Sequence, residues 1–187
     1  MKNALLVMVA ALLPLGAAQA NNFTIDPEHT YPTFRINHLG FSTMHGRFNK
    51  SSGTMELDAA AKKASVSITI DATSIDTGHQ KRDDHLRSPD FLNVAENPEI
   101  TFKSTAVSWN GTKPATVTGN LTIMGVTKPV TLAVTRMNCG EHPFSKKHTC
   151  GFDAETKIKR SDFGVKYGIP AIGDDMDLIF QVEAVKN

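Results

Sequence analysis

Along most of the chain, apolar side chains alternate with polar ones. Phe34, Ile36 and His38 are separated by Arg35 and Asn37, and Val66, Ile68 and Ile70 by Ser67 and Thr69. A period of two with a polar outer side predicts half-buried strands of antiparallel sheet. The spacing returns at Ile100 and Phe102, at Val117, Gly119, Leu121 and Ile123, and at Val130, Leu132 and Val134. It returns again at Phe152, Ala154, Thr156 and Ile158, and at Leu178, Phe180, Val182 and Ala184. With Arg47 to Phe48 and Thr54 to Leu57, about eight strands result, and Gly53, Asn110-Gly111, Gly125, Gly140 and Gly173 mark the expected turns.

The alternation stops between Gly78 and Phe102, where charges surround a few apolar anchors. Asp83 and Arg87 stand four apart and are expected to pair along a helical turn that leaves Leu86 facing a core. Ser88-Pro89 reads as the start of a second short helix carrying Phe91 and Leu92 inward, closed by Asn97-Pro98. A helical insert at about residues 76–95 is therefore expected to cross one end of the sheet and gate a cavity.

One helical insert cannot cover the apolar side of so much sheet, so the sheet must cover itself, as a sandwich or as a closed barrel. Eight strands enclose an interior that is either just filled or open to one ligand. Many inward candidates are small: Val66, Val117, Gly119, Ala154, Val182 and Ala184. They favour an open bore able to take an apolar chain from end to end, although small residues also occur where two sheets pack tightly.

Met1 to Ala20 combines Lys2, an apolar run from Ala4 to Leu15 and Ala18-Gln19-Ala20. That is the three-part pattern of a secretory signal, with cleavage expected after Ala20 and a single domain over residues 21–187. The run is shorter than the roughly 18 apolar residues of a membrane span, so no integral anchor is expected. Lys2 falls in this leader, which leaves 19 Lys and Arg against 19 Asp and Glu. Such a balance argues against a nucleic-acid partner, which selects a basic surface.

Export bears on the two cysteines, Cys139 and Cys150, because an oxidising compartment favours a disulfide. The competing reading is a Cys2His2 zinc set of Cys139, His142, His148 and Cys150.

Four motifs now stand in register. They are His38-Leu39-Gly40, the run from Arg82 to Leu92 with Pro98 and Phe102 behind it, the run from Gly119 to Leu132, and Arg160 with Asp162-Phe163-Gly164. In this order they resemble the YceI-like family, from about Phe23 to Val185. The resemblance implies an all-β fold, an extended eight-stranded antiparallel β-barrel, lipocalin-like, holding a polyisoprenoid or isoprenoid quinone tail in the bacterial periplasm. The Cys139 to Cys150 loop departs from that family's pattern.

A prenyl tail needs apolar wall, for which Phe34, Ile36, Phe48, Val66, Ile68, Phe91, Phe102, Leu121 and Phe180 are the candidates. Each buried CH2 contributes about 0.8 kcal/mol, so one isoprene unit contributes up to about 4 kcal/mol before ordering costs. Three or four units reach the roughly 12 kcal/mol of nanomolar binding. A quinone or pyrophosphate head needs donors, for which His38, His45, Arg82, His85 and Arg87 are the candidates. The alternative for Arg82 and Arg87 is pairing with Asp83 and Asp84; Arg160 is expected to pair with Asp162.

Two other classes stay open. His29, His38, His45 and His85 with Asp83 and Asp84 offer the groups of an acid–base or metal enzyme, but no HExxH or GxSxG motif accompanies them. A non-enzymatic protein without catalytic cofactor is the expectation. The third class is a stress or surface protein acting through an unidentified protein partner; a homodimer is compatible with all three.

Overall fold

The structure is a computed structural model and describes residues 20–187; apart from Ala20, the expected leader lies outside the described residues. The strands are β1 (Asn21–Ile25), β2 (Tyr31–His38), β3 (Ser42–Phe48), β4 (Ser51–Asp58), β5 (Lys63–Asp71) and β6 (Ile75–Asp76). One helix, α1 (Gln80–Arg87), precedes β7 (Glu99–Asn110), β8 (Lys113–Ile123), β9 (Val126–Glu141), β10 (His148–Lys159) and β11 (Ile172–Lys186). The strands pair in the order β1, β4, β5, β7, β8, β9, β10, β11, and β11 returns to β1, so eight strands close an antiparallel barrel.

Three of the strand runs are interrupted at one level. β1 and β2 are separated by residues 26–30, β3 and β4 by residues 49–50, and β5 and β6 by a short 3-10 turn at Ala72–Ser74. Asp71 accepts a hydrogen bond from the Thr73 N–H at 2.9 Å to hold that turn. Beyond the interruptions, β11 pairs with β2, β2 with β3 and β3 with β6. β6 ends this row without pairing to β7, and the segment between them closes the gap.

The two ends of the barrel differ. Around β1 the interior is filled by Phe23, Met55, Leu57, Val66, Ile68, Phe102, Val117, Leu132, Ala154, Val182 and Ala184, all buried. The expected end-to-end bore is absent here, and the small residues that suggested it are the reason. A Cβ on Gly119 would lie 2.5 Å from Cζ of Phe102, so this ring occupies the space that glycine vacates. Large and small side chains interdigitate, as they do in a close-packed core.

Some local expectations also change. Gly53, Gly140 and Gly173 lie inside β4, β9 and β11, not in turns. At Gly53 the reason is close strand contact: a Cβ there would meet the Ser67 carbonyl oxygen at 2.1 Å. The insert holds one helix, not two. α1 is capped by His79, whose Nδ1 accepts from the Arg82 N–H at 3.3 Å. It stops at Ser88, because a residue before proline is driven out of helical conformation, and Ser88 has ψ 170°. Turns follow, held by Leu92 N–H to Leu86 O and Val94 N–H to Arg87 O, both 3.0 Å, and they carry Phe91 and Leu92 inward.

Candidate functional site

Between the filled half and the insert lies a cavity of about 230 Å³. β2 contributes Phe34, Ile36 and His38; β3 contributes Met44, His45 and Phe48; β11 contributes Met176, Leu178 and Phe180. Leu121 and Ile123 form the floor beside the plug, and Leu86, Phe91 and Leu92 of the insert close the wall. The period of two that turns Phe34 and Ile36 inward also turns Arg35 outward, to Asp177 at 3.5 Å.

Of the residues expected along a tunnel, Phe34, Ile36, Phe48, Phe91, Leu121 and Phe180 lie on this cavity. Val66, Ile68 and Phe102 do not; they belong to the plug, where the Gly119 packing places them. Of the residues expected at a head group, His38, His45, Arg82 and His85 lie on the cavity wall. Arg87 does not. It donates to the carbonyls of Thr73 and Ile75, each at 2.8 Å, and to Asp84 at 3.0 Å, which ties α1 to the interrupted strand.

The expected Asp83–Arg87 pair is likewise replaced. Asp83 is buried and accepts from the N–H and hydroxyl of Thr77, while Arg82 donates to Thr77 Oγ1 at 2.7 Å and to its carbonyl at 2.8 Å. Thr77 thus anchors the helix beside the cavity. Its role has no sequence signal beyond its position before Gly78.

Arg160 departs furthest from expectation. Instead of pairing with Asp162 it is 3% exposed and lines the cavity. Its Nε donates to Gly173 O at 2.8 Å, Nη1 to Val165 O at 3.1 Å, and Nη2 to Tyr167 O at 2.9 Å and Ile172 O at 3.2 Å. Burial lowers its pKa, Asp174 works against that, and the guanidinium stays charged. Among the described residues no carboxylate forms an ion pair with it. A buried cation therefore lies on the wall of a largely apolar chamber, and the same side chain braces the loop that forms its rim.

That loop meets the insert through aromatic rings. His85 stands edge-on to Phe91 and to Tyr167 with centroids 5.0 Å apart in each case, and Phe91 and Tyr167 are 5.2 Å apart. His85 Nε2 also bonds Asp90 at 2.8 Å. The cluster closes the chamber on the side where β6 and β7 do not meet.

The residues offered for catalysis divide between the cavity, which His38, His45 and His85 all line, and the outer surface, where His29 lies. His38 and His45 are on the cavity wall, His85 is held by Asp90, and Asp84 bonds Gln80 and Arg87. His29 bonds Asp26 at 2.8 Å on the outer surface, beside a shallow groove of about 270 Å³ that also holds Glu183. Ligand-type atoms of Asp26, His29 and Glu183 lie within 4.8 Å of one another, an arrangement already accounted for by the His29–Asp26 bond. The zinc alternative fails on its sulfurs, since Cys139 and Cys150 face each other across β9 and β10 and form a disulfide. His142 Nδ1 instead accepts from Phe144 and Ser145 N–H groups, and His148 packs by Phe23.

A closed antiparallel barrel with one end packed and the other opened into a lidded apolar chamber defines a ligand-binding barrel of lipocalin type. The chain belongs to the YceI family: the family model described as a YceI-like domain matches residues 23–184. It is 44% identical to protein YceI of Escherichia coli O157:H7 over 191 residues, with 100% of this chain and 99% of that protein covered. It is similar to the crystal structure of Burkholderia cenocepacia BcnA, at TM-score 0.72 and 28% identity, covering 85% of this chain and 98% of the other. The fold is shared with a polyisoprenoid binding domain from Saccharophagus degradans, at TM-score 0.64 and 16% identity, covering 90% and 100%. Among the described residues no helix is long and apolar enough to cross a membrane.

Proposed function

We infer that the protein is a periplasmic lipid-binding protein that sequesters or carries a polyisoprenoid or isoprenoid quinone, with part of its tail in the chamber. The observation carrying this reading is the lidded cavity: its wall is mostly apolar, with His38, His45, Arg82, His85 and Arg160 among the polar exceptions. Such a wall suits a hydrocarbon chain with one polar end, and a quinone carbonyl or a pyrophosphate suits the donors. The Saccharophagus degradans neighbour is described as a polyisoprenoid binding domain, which agrees with the reading. The secretory-signal pattern of Met1 to Ala20 supports the compartment.

Cavity size sets the reach. A chamber of about 150 Å³ accepts benzene, so about 230 Å³ takes roughly nine carbons, or about two isoprene units. Two units contribute at most about 8 kcal/mol, which places the resting chamber in the micromolar range. Longer tails extend through the rim or displace Met44 and Met176, the flexible side chains of the wall. The reading is of a binder, in keeping with the polyisoprenoid binding domain that shares its fold.

Native mass spectrometry of protein purified from quinone-producing cells tests this reading. An added mass identified as an isoprenoid after extraction is expected, and its repeated absence overturns the carrier function. Release of the protein by osmotic shock is expected for the periplasm; retention with spheroplasts overturns that location.

A further inference from the structure

The β2–β3 hairpin presents apolar side chains to solvent at the cavity end of the barrel. Phe41 is 90% exposed and Leu39 is 47% exposed. Leu39 also holds φ 57°, a conformation that bulky residues rarely adopt and that asparagine adopts readily. The turn itself asks for neither residue. Both stand on the same rim as the chamber: the Leu39 N–H donates to Ala171 O at 3.0 Å, and the flanking pair His38 and Ile172 lines the cavity.

Tyr167, in the loop whose Ala171 accepts that bond, is 49% exposed, its ring in the aromatic cluster that closes the chamber, with Lys166 exposed beside it. Separate apolar prongs flanked by an amphipathic tyrosine and a lysine suit the interfacial layer of a bilayer, where rings sit among head groups and lysine reaches back to water. A flat continuous patch, the usual form of a protein interface, is not what the hairpin tip offers.

We propose that Phe41, Leu39 and Tyr167 form a membrane-docking rim that seats the open end of the barrel on a phospholipid surface, aligning the chamber with the bilayer from which a prenyl chain is drawn. The proposal rests on the carrier reading for its purpose, but docking is measured on unloaded protein and does not depend on the cavity being filled. Full insertion of a phenylalanine side chain contributes about 1.5–3 kcal/mol, so Phe41→Ser weakens vesicle partitioning by about tenfold or more.

The test is co-sedimentation with vesicles of phosphatidylethanolamine and phosphatidylglycerol. The full sequence is expressed, and mass spectrometry confirms the same N-terminus for every variant. Wild type is expected to partition, Phe41→Ser and Leu39→Asn to lose that partitioning, and Phe144→Ser to retain it. Phe144 is the control because it is 89% exposed on the β9–β10 hairpin at the filled end. Wild type left in the supernatant, or equal loss in Phe41→Ser and Phe144→Ser, overturns the docking rim. So does a concentration-dependent dimer, by sedimentation velocity, that Phe41→Ser dissolves without any vesicle binding. Titration with a dansyl-labelled farnesyl probe in solution reads the chamber separately: its failure counts against the carrier reading, and vesicle partitioning decides the rim.

Discussion

Replacing Phe102 with alanine removes the middle of the plug without altering the cavity wall. The ring is 4% exposed and fills the space over Gly119, where a Cβ would also come within 2.6 Å of the Lys103 carbonyl oxygen. With backbone on one side and packed strands on the other, the site has little freedom to collapse, so the loss belongs to the usual range for a buried Phe→Ala change, about 3–5 kcal/mol. Against a total stability of about 5–15 kcal/mol this is a large share. At about 2–4 °C per kcal/mol for a domain of this size, the melting temperature falls by about 6–20 °C. Circular dichroism melts under non-reducing conditions measure it. Binding of the farnesyl probe is expected to stay within about twofold of wild type, because Phe102 does not line the chamber. Ile36→Ala shows the opposite signature. It removes three carbons from a half-exposed wall position, which weakens the probe by about tenfold and changes melting little. Phe102→Leu gives the same ordering in milder form should the alanine variant not accumulate. An unchanged melting temperature in Phe102→Ala, or a loss of probe binding as great as that of Ile36→Ala, refutes the division of the barrel into plug and chamber.

Removing the disulfide by Cys139→Ser with Cys150→Ser lowers stability by about 3 kcal/mol from the loop-entropy estimate for a sequence separation of 11, read as a shift in urea midpoint. Arg160→Met leaves the carbonyls of Gly173, Val165, Tyr167 and Ile172 without their donor and costs at least about 3 kcal/mol in the same assay. Arg160→Lys rescues it only in part, since an ammonium lacks the fork that reaches four carbonyls; full rescue would refute that geometry. The hydrogen bond to Asp26, then its charge, raises the His29 pKa; burial pushes Asp26 upward but is outweighed by the His29 and Glu28 bonds, so Asp26 is lowered. Each ionised form is favoured by folding. The pair therefore stabilises fully between about pH 4 and 6.5, weakening as pH rises through the His29 value or falls through the Asp26 value. The urea-midpoint gap between wild type and Asp26→Asn is largest near pH 5–6 and narrows as pH rises through the raised His29 value; a gap that grows with pH contradicts the assignment.

The eight-strand barrel was visible because a half-buried strand repeats every two residues, and Val66, Ile68 and Ile70 or Phe180, Val182 and Ala184 keep that repeat wherever the barrel is closed. What fills the barrel was not visible. Alternation says which side chains point inward, but whether they meet depends on cross-strand register, and Phe102 sits over Gly119 only because Ser104 pairs with Gly119 and Phe102 with Leu121. Arg160 failed for a related reason. Its nearest acid in sequence is Asp162, while its carbonyl partners lie 5 to 13 residues on and are brought to it by a loop without periodicity. Helical spacing pairs Arg87 with Asp83, but both are claimed by groups of the segment before the helix: Thr73 in the 3-10 turn, Ile75 on β6 and Thr77 just after it.

The interruptions at 26–30, 49–50 and 72–74 explain why one chain supports both a plug and a chamber. Uninterrupted strands of this length would carry the packing of Phe23, Met55 and Val66 through to the far rim, and an eight-stranded interior is narrow enough to fill. Breaking three neighbouring runs at one level frees β2, β3 and β6 from the closed ring, so their inner faces meet the insert instead of a β6–β7 ladder. Phe34, Ile36, Met44, Met176 and Leu178 then remain only half buried, a cost in apolar exposure that the plug can carry. Stability resides in the closed half and binding surface in the flared half, which is why substitutions in the two halves are expected to separate melting from ligand affinity.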